Sequence, residues 1–135
     1  MSFGNTTETD VLNYIFDSAT PGWAANSNFW IALYTADPGE GGSANTNEVT
    51  YTSYARVSVS RTTGFSVTGN TVENTGLVQF PQSTGAGVTA THFAVVTTSS
   101  GAGQIIIRGA LSSGIPTDSG IQPQFAAGAL TATLD

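Results

Sequence analysis

Asn28-Phe29-Trp30-Ile31-Ala32-Leu33-Tyr34, running into Thr35-Ala36-Asp37-Pro38-Gly39-Glu40-Gly41-Gly42, decides the fold class. Phe29, Ile31 and Leu33 alternate with Trp30, Ala32 and Tyr34, the period of a strand with at least one buried face. The Pro-Gly and Gly-Gly pairs then predict a turn-rich loop reaching about Asn47. Downstream the β pattern continues. Residues 48–61 read as one long strand with a bend midway, Ala55, Val57 and Val59 on one face and Arg56, Ser58 and Ser60 on the other. Residues 65–68 and 71–73 flank Gly69-Asn70, a two-residue hairpin signal. Residues 77–80 form a short strand stopped by Pro81. In residues 91–98, Phe93 and Val95 oppose His92, Ala94 and Val96. The unbroken Ile105-Ile106-Ile107 predicts a strand covered on both faces. The tail, with Ile121, Phe125, Leu130, Ala132 and Leu134, ends in a last strand. About eight short strands at regular spacing predict an all-β sandwich or jelly roll over residues 28–135. Its expected core includes Ile31, Leu33, Val57, Val95, Ile106 and Phe125.

Residues 1–27 read differently, as a short helix or N-terminal arm. Thr7 stands three residues before Asp10, close to a capping box, and Val11, Leu12, Ile15 and Phe16 share one helical face. Pro21-Gly22 closes the segment. A two-turn helix is marginal alone, so its apolar face must dock, either on its own domain or on a neighbouring subunit.

Composition narrows the function. The chain has 135 residues, no lysine and three arginines, against 14 serines and 21 threonines. A hydroxyl-rich surface of net charge −6 is a poor match for nucleic acid or an anionic membrane, because holding phosphates needs a basic face. No apolar run nears the roughly 20 residues of a membrane-spanning helix. Without cysteine there is neither a disulfide framework nor a thiolate metal site. The N-terminus lacks the basic and apolar regions of a signal peptide, which argues against Sec export.

The residues that do acid–base work are scarce. His92 is the sole histidine, no Gly-x-Ser-x-Gly elbow is present, and His92 reads as a strand residue at a surface or interface. Asp37, Glu40, Asn45, Asn47 and Glu48 offer oxygen ligands around one glycine-rich loop, but without the alternate-position register of a calcium loop. Glu73 and Asp118 are isolated, and no spacing matches a glycosidase pair. The glycine stretches 39–42 and 85–87 lack the phosphate-loop pattern. The expectation is a protein that is not an enzyme and needs no metal or other cofactor. Its expected work is binding other proteins, with Leu12, Phe16, Trp23, Tyr34 and Tyr54 as candidate interface residues.

Several segments arrive in a familiar order: 30–40 (Trp-Ile-Ala-Leu-Tyr-Thr-Ala-Asp-Pro-Gly-Glu), Tyr54-Ala55-Arg56, Val78-Gln79-Phe80-Pro81, Thr91-His92-Phe93-Ala94, Gly101-Ala102-Gly103 and Pro123-Gln124-Phe125-Ala126-Ala127-Gly128. From about Asn28 onward they resemble a family of small tailed-bacteriophage virion proteins. Members often carry "tail fibre-like" labels, and others resemble capsid cement proteins with a jelly-roll fold. The Leu33-to-Glu40 run is the most specific part. The resemblance implies a cement or decoration protein on the capsid exterior, bound to the major capsid protein as a homodimer or homotrimer. The alternative it leaves open is a tail-fibre or baseplate adaptor domain that contacts a receptor.

Overall fold

The computed structural model describes residues 2–134. Along the chain the elements are β1 (Ser2–Phe3), α1 (Asn5–Phe16), a 3-10 turn (Gly22–Ala25), β2 (Asn28–Tyr34), β3 (Val57–Ser60), β4 (Phe65–Thr68) and β5 (Thr71–Asn74). There follow β6 (Val78–Gln79), β7 (Thr89–Val96), β8 (Ile105–Pro116), β9 (Gln124–Phe125) and β10 (Thr131–Thr133). The fold is an all-β sandwich with one helix near the N-terminus. An antiparallel five-stranded sheet, β1-β8-β7-β2-β3, carries the architecture; a β10-β5-β4 sheet and a β6-β9 pair complete it. Among the described residues ten strands stand where about eight were expected, because Ser2–Phe3 joins β8 and the tail contributes two short strands.

The opening stretch behaves as its alternation demands. Ile31 and Leu33 point into a core with Phe93, Val95 and Ile107, closed from the other side by Val78, Phe80, Leu130 and Ala132. Ala32 and Tyr34 point the opposite way and join Ala44, Ala94, Val96 and Ile105 in a second cluster. The main sheet is therefore buried on both faces, as the isoleucine triplet predicts. Ile105 and Ile107 share strand parity yet lie in different clusters. The ladder explains this: Val95 pairs with Ile107 and Val96 with Ile105, so Ile106 is the extra residue of a β-bulge. One inserted residue reverses the facing of everything after it.

The hairpin signal is also realised, with Thr68 opposite Thr71 and Gly69 at φ 62°. A two-residue turn with positive φ at its first central position suits glycine there. Residues 48–61 depart from expectation. Only Val57–Ser60 forms a strand, while Glu48 makes one isolated bridge to Tyr34. Between them Ser53 takes φ 76° and Tyr54 N–H bonds back to Tyr51 O. That turn folds the Tyr51 and Tyr54 rings together edge-on at 5.3 Å, Tyr54 stacking on Phe80, so aromatic packing displaces an extended ladder. The core expectation holds for Ile31, Leu33 and Val95, whereas Val57, Ile106 and Phe125 are half-buried.

Candidate functional site

The helix docks on its polar side. Residues 5–16 contain neither glycine nor proline, and Glu8 in the first turn complements the helix dipole, yet Gly4 at the N-cap supplies no side-chain cap. Thr7, which the sequence pattern assigns to a capping box, is buried instead. Its hydroxyl donates to Ile105 O at 2.8 Å and accepts from Gln104 Nε2 at 2.9 Å. Asp10 Oδ2 accepts from the same Gln104 amide at 2.8 Å and from the Trp23 indole at 2.9 Å. These bonds turn the apolar stripe outward. Leu12 is 56% exposed, Ile15 61% and Phe16 77%. Of the two docking sites the sequence leaves open, the structure does not use the stripe's own domain, because paired polar groups occupy the docking side.

A second apolar surface lies between the sheets. Phe3, Phe29, Phe65, Val67, Val72, Ile106 and Leu134 line an open cleft of about 370 Å³. Val67 and Leu134 stand exposed at its rim. Arg61 forms part of the wall. Its guanidinium lies 4.8 Å from the Phe29 ring centre and 5.6 Å from that of Trp23, and its Nη1 donates to Trp23 O, Ala24 O and Asn26 O. Stacking on aromatic faces holds a cation at modest desolvation cost.

The other two arginines are paired with carboxylates. Arg56 is almost fully buried and forms a fork with Glu48, Nε to Oε1 at 2.7 Å and Nη2 to Oε2 at 2.8 Å. It also donates to the carbonyls of Thr98, Ala44 and Gly101, so all its nitrogens are engaged. Arg108 bonds Asp37 at 2.6 Å and lies 3.4 Å from Glu40. Among the described residues, Arg61 alone has no carboxylate partner.

The candidate interface residues therefore separate. Leu12 and Phe16 are exposed on the helix, and Trp23 is half-buried between Asp10 and Arg61. Tyr34 is not a surface residue: it is fully buried, donating its hydroxyl to Ala44 O at 2.8 Å. Tyr54 is half-buried; its hydroxyl donates to Glu48 Oε1 at 2.8 Å and accepts from Leu33 N–H at 3.1 Å. Burial raises both phenols well above the usual range, with Glu48 adding to the effect. His92 sits in β7 with Nδ1 2.9 Å from the Thr91 hydroxyl. The loop residues considered for calcium serve one another and the arginines: Asn47 Nδ2 donates to Asp37 O, and Asn45 Oδ1 accepts from Ser43. Sequence reasoning missed the cleft. Its phenylalanines come from β1, β2 and β4, and only the one on β2 stood in a recognised alternating run.

A family model described as podophage GP4 fiber I protein gp80 matches residues 2–133. No curated protein matches the chain.

Proposed function

The chain belongs to this podophage fibre-protein family and is a structural protein of the phage virion; on that premise we propose that it is a fibre subunit that assembles through apolar docking surfaces and performs no catalysis. The observation that carries the reading is the helix. A lone domain gains by covering Leu12, Ile15 and Phe16, each worth about 1.5–3 kcal/mol when fully buried, yet the fold holds them outward with buried hydrogen bonds. Clustered exposed apolar side chains mark a contact surface. Two of the three arginines are already paired with carboxylates, so few cations are left to form ion pairs and the contact rests mainly on apolar fit and hydrogen bonds.

The segments from Trp30 to Gly128 resemble a virion-protein family some of whose members resemble cement proteins, and this supports a second reading. In it the subunit sits on the capsid exterior, bound to the major capsid protein, where many equivalent attachments make modest contacts durable. Immunogold labelling of virions, with copy number from a stained gel, separates the two. A fibre subunit labels the tail at low copy number. Label over the head at capsid stoichiometry rejects the fibre reading in favour of cement.

A further inference from the structure

We propose that the cleft of one copy receives the apolar end of helix α1 from the next, so that the protein self-assembles head to tail. The inference rests on the reading that the chain is an assembling subunit, and not on where in the virion it sits. Every copy carries one donor and one acceptor. The donor is Leu12, Ile15 and Phe16, followed directly by Asp17. The acceptor is the 370 Å³ cleft walled by Phe29, Phe65, Val67 and Ile106, with Arg61 beside them.

Charge selects a second copy as the occupant. Among the described residues Arg61 is the arginine without a carboxylate partner, and neither its Nη2 nor its Nε makes a hydrogen bond there. Asp17 closes the helix, and its backbone N–H bonds to Asn13 O while its carboxylate makes no bond among the described residues. Inserting Phe16 into the cleft brings these two charges together at its edge. The donor cannot serve its own cleft. Phe3 pairs with Ile107, and Thr7 and Asp10 are tied to Ile105 O and Gln104, so the helix is anchored before its apolar end begins. A contact between unlike surfaces closes into a ring or continues as a filament, and either outcome covers both features.

The test uses the full chain in sedimentation velocity. Wild type should be an oligomer. Phe16→Asp (donor lost) and Val67→Glu (acceptor lost) should each be monomeric. Both positions are largely exposed, and circular dichroism melts should confirm that both variants fold. Mixed together, the two should form a 1:1 dimer, because one intact helix then meets one intact cleft. Asp17→Lys should weaken assembly several-fold, more so at low salt. A monomeric wild type, a Val67→Glu variant that keeps the wild-type oligomer, or a mixture that stays monomeric would each overturn the proposal. Virion labelling answers the fibre question separately, so the two can fail independently.

Discussion

The two faces of the five-stranded sheet are closed by different chemistry. On one, Ala32, Tyr34, Ala94, Val96 and Ile105 lie beneath loops fastened by Arg56, whose donors reach Glu48 and three backbone carbonyls. On the other, two small sheets supply apolar cover and leave a cleft at Phe29 and Ile106. A directional polar hub can seal a surface made of loops, because each carbonyl needs a partner once water is excluded. Apolar cover is non-directional and stops wherever side chains run out. The sealed face thus leaves little apolar surface for a partner, whereas the open face leaves a cleft to fill.

The largest way to break this contrast is Arg56→Ala. Removing one member of a buried pair leaves Glu48 and the carbonyls unpartnered, and a loss of about 3–5 kcal/mol in urea unfolding is expected. A loss under about 1 kcal/mol would mean the hub seals nothing. Next, Leu33→Ala in the closed core should cost about 2–5 kcal/mol, while Ile106→Ala, at the bulge beside the cleft, should cost no more than about half as much. Equal losses would show that the cleft is as tightly packed as the core.

Titration sharpens the comparison further. Burial pushes the Tyr51 phenol up to about 12. A raised folded pKa means this contribution is fully present below the unfolded value of about 10 and is lost as pH rises from there through the folded one. Stability should therefore fall across that alkaline window, with Tyr51 absorbance at 295 nm lagging until about 12, and Tyr51→Phe should flatten the fall. The smallest effect belongs to Asp37. The Gly39 backbone N–H foremost, and then Arg108, hold its carboxyl below the ordinary range. Its contribution is present above the unfolded value of about 3.9 and is lost as pH falls through the folded one. Asp37→Asn should shallow the acid limb only slightly, because the carboxylate is half exposed and solvent screens it.

Much of the fold was legible because a strand's facing is a local property. Alternation along residues 28–34 and the isoleucine triplet predict burial, and Gly69-Asn70 predicts a tight hairpin, from neighbours in sequence, and the structure agrees. Residues 48–61 were misread for the complementary reason. Their alternation is genuine, but Tyr54 stacks on Phe80 and Tyr51 packs edge-on against Tyr54, and the backbone turns to allow it. The helix shows the same limit. Its apolar stripe is visible in the sequence, but the hydrophobic effect alone does not say whether that stripe is covered by its own domain or by a neighbour. Which side docks was decided by Thr7 and Ile105, 98 residues apart.

By itself the sequence determined the β class, the two-sided burial of the main sheet, the tight hairpin and the scarcity of catalytic and phosphate-binding groups. All of these follow from composition and from the period of two that an extended backbone imposes. Only the tertiary structure decided that Arg56 takes Glu48, that Tyr34 is interior, that the helix faces outward and that a cleft opens at Phe29. Those outcomes depend on which distant surfaces meet, and on buried polar groups whose need for partners outweighs local pattern.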